Sequence, residues 1–393
     1  MASDVEDAPV VRFLKKMLID AINLRASDLH FEPYEGFYRI RIRIDGQLQE
    51  CLAPPLALRD RLVSRIKVLA KLDIAEKRLP QDGRLRVSPA GQPAMDLRVS
   101  SLPTLHGEKL VLRLIGAAPA QMSLEALGYD SAQQATLLQA LARPHGMILV
   151  TGPTGSGKTL SMYSCLQRLN QPGVNICTAE DPAEIMMAGI NQVSINEKAG
   201  LDFAAALRAF LRQDPDVIMV GEIRDLETAD MALKAAQTGH LVFSTLHTND
   251  APSTLLRLRQ MGVAPHNIAA SVVLISAQRL LRRLCPHCRQ EVQRREPLLR
   301  AAQCPTSWLD ADWPLYQPAG CVHCHGGYLG RVGVFELMPV SAAMEALILR
   351  DASTLEMARQ AAAEGVLSLR QAAWAKVKLG QTSLEEVLAH THA

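Results

Sequence analysis

The chain has 393 residues, 48% hydrophobic and 21% charged, which is ordinary for a globular protein with room for two or three domains. A balance of 42 basic against 40 acidic residues leaves a formal charge of +2 and gives no reason to expect nucleic acid as the main partner. The acidic start "MASDVEDAPV" is no secretory signal, and no window approaches the roughly 18 uninterrupted apolar residues of a transmembrane segment. A cytoplasmic protein is expected, its eight cysteines free thiols or metal ligands rather than disulfides.

Val10, Val11, Leu14, Met17, Leu18 and Ala21 recur at helical spacing and predict an amphipathic helix. "FYRIRIRIDGQLQE" then alternates Ile40, Ile42 and Ile44 with Arg39, Arg41 and Arg43, a strand with one buried face. Asp45-Gly46 turns it into a second strand. Taken alone, the arginine row reads as a solvated strand face. A helix follows around "LRDRLVSRIKVLAKL", then strands at "GRLRVSP", "MDLRVSSLP" and "KLVLRLI". Residues 1–116 therefore read as an α+β domain. "GAAPAQMSLEALGYD" is rich in small and turn-forming residues and supplies a linker over 117–130.

Over 131–393 the pattern changes. Apolar strands at "GMILVTG", "NICTAED", "DVIMVGE" and "HLVFSTLH" alternate with helical stretches, which predicts an α/β layer around a mostly parallel sheet. After Gln278 the alternation breaks into a cysteine-bearing segment, and a helical tail rich in Ala, Leu and Glu ends the chain.

"GPTGSGKT" (Gly152, Pro153, Thr154, Gly155, Ser156, Gly157, Lys158, Thr159) fits G-x-x-x-x-G-K-[ST] in full. Its glycines let backbone N–H groups turn inward around phosphate oxygens, and the following helix points its positive end at them. Lys158 would reach the β- and γ-phosphates and the Thr159 hydroxyl would ligate Mg²⁺, so the expected ligand is ATP with Mg²⁺. Such a loop also needs acids. The strand "VIMV" delivers Glu222, while "AEDPAEI" offers Glu180, Asp181 and Glu184, with Pro182 turning the chain between them. Spacing alone does not decide which of those three acts as base. His247 ends the strand at "STLHTND", where a histidine is more often structural than a sensor; Thr245 and Thr248 beside it would suit a γ-phosphate sensor.

Two C-x₂-C pairs, Cys285/Cys288 and Cys321/Cys324, lie 32 residues apart. Each tight turn presents two thiolates, and two such turns make a closed structural Zn²⁺ site spanning 285–324. A redox C-x-x-C needs one pair on a particular fold rather than two matched pairs. His287, His323 and His325 stand nearby, but four thiols already complete the shell. Cys51, Cys165, Cys177 and Cys304 read as plain thiols.

Together these pieces resemble the secretion ATPase superfamily of type IV pilus and type II secretion systems. "AEDPAE" corresponds to its Asp box, "DPDVIMVGEIRDLETAD" to its Walker B segment and "TGHLVFSTLHTN" to its His box. The first domain matches through "ASDLHFEPYEGFYRIRIRIDG", "RLPQDGR" and "DLRVSSLPTLHGEKLVLR". The resemblance is strongest to the pilus-extension branch, through "LDIAEKRLPQDGR" and "ALRAFLRQDPDVIMVGEIRDLETA". The four-cysteine insertion, carried by extension and secretion members, sets the chain apart from the retraction branch.

The resemblance implies a RecA-like P-loop ATPase domain after an α+β domain that closes over nucleotide. It makes Glu184 the base, Glu222 the organiser of the Mg²⁺ shell, and His247 the γ-phosphate sensor. Arg84 and Arg98 would swing over the phosphates, where arginines in related enzymes contribute about 10³-fold or more. It further implies a ring-shaped homo-hexamer that passes motion from a hinge in the linker to an inner-membrane platform protein, for pilin addition. The alternatives are a type II secretion ATPase and a nucleotide-gated scaffold without hydrolysis. Because the chain opens shortly before the first family helix, the further N-terminal domain usual in this branch is expected to be absent.

Overall fold

The computed structural model describes residues 8–89, 94–115, 123–293, 295–302, 304 and 313–391. The chain divides into two compact units, Met1–Pro119 and Ala120–Ala393, each taken by itself below.

In the first unit, α1 (Ala8–Asn23) buries Val10, Leu14, Met17, Leu18 and Ala21 as one stripe. Strands β1 (Asp28–Pro33), β2 (Tyr38–Ile44) and β3 (Gln47–Leu52) follow, with Asp45 and Gly46 turning the β2–β3 hairpin at φ +48° and +87°. Helix α2 (Arg59–Leu69) leads to β4 (Gln81–Val87), β5 (Met95–Thr104) and β6 (Gly107–Ile115). The antiparallel sheet runs β3-β2-β1-β6-β5-β4. A two-residue period puts Tyr38, Ile40, Ile42 and Ile44 on the core face with Leu29, Phe31 and the α1 stripe.

The opposite face differs from the solvated row that the sequence suggests. Glu32, 3% exposed, accepts from Arg41 at 2.8 Å and from Arg39 at 3.2 Å, and pairs with Lys109 at 3.1 Å. Asp28 pairs with Arg113 at 3.0 Å. Both acids come from β1, the neighbouring strand, so the alternation within β2 could not show that the arginines are partnered.

In the second unit, α3 (Ser131–Leu141) precedes β7 (Gly146–Thr151), α4 (Lys158–Leu169), β8 (Ile176–Glu180) and β9 (Asn191–Ser194). Then come α5 (Phe203–Phe210), β10 (Val217–Val220), α6 (Leu226–Gln237), β11 (Leu241–Leu246), α7 (Ala251–Gln260), α8 (Pro265–Ser271) and β12 (Val272–Leu284). A small insertion carries β13 (Gln290–Glu291), α9 (Arg295–Ala301) and β14 (Tyr316–Gln317), and β15 (Tyr328–Pro339) returns to the main sheet. Four helices end the chain: α10 (Ala342–Leu349), α11 (Thr354–Ala363), α12 (Leu369–Lys378) and α13 (Leu384–His390).

The main sheet runs β15-β12-β7-β11-β10-β8-β9 and is parallel except for β15. Strands β7, β8, β10 and β11 are buried throughout, as expected of a parallel sheet covered on both faces. The alternation does not end with β11. Strand β12 adds on the far side of β7 and runs straight to Leu284, beside the first cysteine pair. Its polar residues Gln278 and Arg279 masked it in sequence, yet both are buried, at 1% and 9% exposure.

Residues 117–122 of the expected linker lie outside the described residues. Residues 123–130 belong to the second unit: Leu124 is buried and Tyr129 stacks on Phe335 at 3.8 Å. Among the described residues no helix is long and apolar enough to cross a membrane.

Candidate nucleotide site and metal centre

The parallel strands β7, β8, β10 and β11 deliver their carboxyl ends to one edge of the sheet, where α/β proteins place ligands. Between β7 and α4 the loop bends through Gly152, Gly155 and Gly157 at φ +148°, +80° and +90°. At Gly152 the requirement is also steric, since a Cβ would come within 2.6 Å of both the Gln278 carbonyl and Ser156 Oγ. Gln278 Nε2 donates to Ser156 O at 2.8 Å, so β12 supports the loop from beneath. Gly157 stands at the N-cap of α4, which leaves that helix's first N–H groups facing the loop.

Lys158 Nζ donates to the Gly152 and Pro153 carbonyls at 2.8 and 3.1 Å. Burial lowers its pKa, opposed by the Glu222 carboxylate. A partly desolvated ammonium held only by neutral carbonyls gains by exchanging them for an anion.

Lys158 and Thr159 line a single cleft together with Glu180, Asp181, Pro182, Glu184, Phe203, Gly221, Glu222 and Thr245. The four cleft acids have different surroundings. Glu222 pairs with Arg224 and lies 3.4 Å from His247 Nε2, while Arg224 is 3.7 Å from Asp181. Glu180 is buried and accepts from Tyr163 Oη, from Thr178 Oγ1 at 2.6 Å and from Gln192 Nε2 at 3.0 Å. Glu184 is exposed on the irregular segment after β8, and its backbone N–H donates to Tyr163 Oη at 3.4 Å.

The two threonines near His247 have separate roles. Thr245 lines the cleft and donates to the Gly221 carbonyl at 2.7 Å. Thr248 is tied to Thr151 and, at 2.7 Å, to Thr254, which fixes the turn leaving β11. Tyr163, Gln192 and Gln278 are absent from any motif reading, while Arg224 lies inside the Walker B segment without being singled out there.

Arg84 and Arg98 belong to the first unit, directly opposite one another on β4 and β5. Like charges at a paired register repel, so an anion between them would relieve the pair.

The four cysteines converge despite their sequence separation. Cys285 and Cys321 sulfurs are 3.9 Å apart, Cys288 and Cys324 3.6 Å, and Cys321 and Cys324 3.6 Å. A tetrahedral zinc with bonds of about 2.3 Å spaces its sulfurs by about 3.8 Å, so the cluster fits Zn²⁺. All eight cysteines are free thiols. The exposed rings of His287 and His323 lie 5.0 Å apart, tilted at 47° to one another.

The family model described as type II/IV secretion system protein matches residues 3–389. The type IV pilus assembly ATPase PilB of Acinetobacter baylyi is 53% identical over 383 residues, 97% of this chain and 66% of that protein. PilB of Pseudomonas aeruginosa is 54% identical over 387 residues, 98% of this chain and 68% of that protein. The chain thus spans about two thirds of the length of these curated relatives. Among solved structures, the Legionella pneumophila ATPase DotB shares the fold, with a TM-score of 0.70 at 21% identity, covering 96% of this chain and 94% of its own.

Proposed function

This chain belongs to the type II/IV secretion system protein family, and on that premise we propose that it hydrolyses ATP as the motor of type IV pilus assembly. One observation carries the reading. The P-loop lysine and threonine open into the same cleft as carboxylates delivered by two neighbouring parallel strands.

In this reading the loop amides and the N-terminus of α4 take the phosphates, and Lys158 leaves the Gly152 and Pro153 carbonyls for the β- and γ-phosphates. Thr159 and Glu222 would hold Mg²⁺, which would supply neutralisation of phosphate charge. Glu184 is the base that polarises the attacking water. Its competitors are committed elsewhere: Glu180 accepts hydrogen bonds on both oxygens, and Asp181 faces Arg224. His247, beside Glu222, senses the γ-phosphate. Arg84 and Arg98 donate to phosphate oxygens and offset charge developing in the transition state.

The working form is a homo-hexameric ring that docks at an inner-membrane platform protein from the cytoplasm and drives pilin addition. The four-cysteine cluster holds Zn²⁺ as a scaffold, and the motor needs no nucleic acid. Steady-state phosphate release by the assembled protein tests the site. Lys158→Ala and Glu184→Gln are each expected to abolish it, and full activity in either removes that residue's assignment. Loss of pili with secretion intact on gene deletion supports pilus assembly; loss of secretion with pili intact replaces it with type II secretion.

A further inference from the structure

We propose that Tyr163 and Gln192 are positioning residues that hold Glu184 at the cleft, with the buried Glu180 carboxylate as the fixed point from which both act. Glu180 is 5% exposed at the end of β8, and both of its oxygens are engaged. A carboxylate so committed is a poor proton acceptor but a firm anchor. From it, the Tyr163 hydroxyl reaches the backbone amide of Glu184, which donates to it at 3.4 Å. Gln192 reaches the same segment from the other side: Nε2 bridges Glu180 and the Ile185 carbonyl, each at 3.0 Å, and Oε1 accepts from the Met187 N–H at 2.8 Å.

The segment from Glu184 to Met187 has no helix or strand of its own. These side-chain bonds therefore supply the fixing that secondary structure does not. Tyr163 also stands on α4, the helix that begins at Lys158, and is fully buried there. One phenol thus sets the spacing between the P-loop helix and the Glu184 segment. Burial, and then the neighbouring Glu180, raise the Tyr163 pKa, so the hydroxyl keeps its proton and remains the donor to Glu180. Gln192 lies on β9, at the sheet edge beside β8, so it too is placed by the sheet and not by the segment it holds. A misplacement of about 1 Å in a catalytic group costs on the order of 100-fold in rate, which sets the scale expected on removing the brace.

The activity arm of this proposal rests on Glu184 as the base; the structural arm does not. The test uses Tyr163→Phe and Gln192→Met in the assembled full chain. Each is expected to lower kcat about 10- to 100-fold, with KM and the ATP Kd held within about threefold. Hydrogen exchange at residues 184–187 should rise about tenfold or more while P-loop amides keep their protection. A merely structural role for α4 would instead weaken ATP binding in step with turnover, and that result overturns the proposal. So does unchanged kcat in both variants, or unchanged exchange at 184–187. Should Tyr163→Phe fail to fold, Gln192→Met, at the half-buried sheet edge, carries the same expectations. Full activity in Glu184→Gln would sink the base assignment alone, and retained protection in Tyr163→Phe would sink the brace alone.

Discussion

Removing one thiolate from the four-cysteine cluster should destabilise the second unit by an amount set by the loop it closes. Cys285 and Cys321 are 36 residues apart, and in the chain-entropy model a cross-link of that span contributes about 3–4 kcal/mol. The cross-linked segment is also sewn into the unit. Cys285 N–H donates to Gly327 O at 2.8 Å, Arg289 donates to Gly380 O at 2.6 Å, and Trp313 lies buried in the main core at 5% exposure. Its release therefore loosens the unit as a whole. For a unit of this size each kcal/mol corresponds to about 2–4 °C, so Cys321→Ser should lose its metal and melt about 6–16 °C lower. The assay is thermal unfolding followed by tryptophan fluorescence, since all three tryptophans lie between Ala120 and Ala393. Wild-type protein purified without chelator should carry about one zinc per chain. Less than half an equivalent in the wild type, or a metal-free variant melting within about 2 °C of it, refutes the reasoning.

Other substitutions probe the remaining parts. Gly152→Ala brings a Cβ within 2.6 Å of Gln278 O at a φ of +148°, and the strain should lower ATP affinity about 10- to 100-fold by equilibrium binding. Burial alone would raise the Glu32 carboxyl, but hydrogen bonds from Arg41 and Lys109 outweigh it and hold the pKa at about 2. That stabilisation is present above the unfolded value near 4.5 and lost as pH falls through about 2. Glu32→Gln should therefore cost the first unit on the order of 2–3 kcal/mol at neutral pH and almost nothing below pH 2, read by hydrogen exchange over residues 28–33 in urea. Glu386, 2% exposed, accepts from the Arg282 backbone at 2.9 Å and pairs with its guanidinium at 2.6 Å. Glu386→Ala should cost about 2–4 kcal/mol and free α13 to exchange, whereas unchanged protection at residues 384–390 would show that the pair holds nothing.

How much of this was legible beforehand depended on the range of each interaction. The Ile40–Ile44 alternation, the α1 stripe and the four apolar strands are local periodicities, and each forms the element its period dictates. The P-loop is likewise local, because its glycines are demanded by backbone angles within eight residues. The two cysteine turns were legible as halves of a metal site, but only folding brings their sulfurs to 3.6–3.9 Å.

Other features were set entirely by contacts between distant residues. Strand β12 is polar where it supports the P-loop, through Gln278 to Ser156, so its sequence did not look like a buried strand. The arginine row is partnered by acids from β1 rather than simply solvated. The different surroundings of Glu180 and Asp181 turned on Tyr163, Gln192 and Arg224, which come from a helix, an edge strand and a loop. By itself the sequence determined the locally patterned elements and where phosphate chemistry belongs, because backbone angles and hydrophobic period act over a few residues. The tertiary structure alone decided that Glu180 is saturated with hydrogen bonds, because hydrogen-bond saturation is a property of neighbours in space.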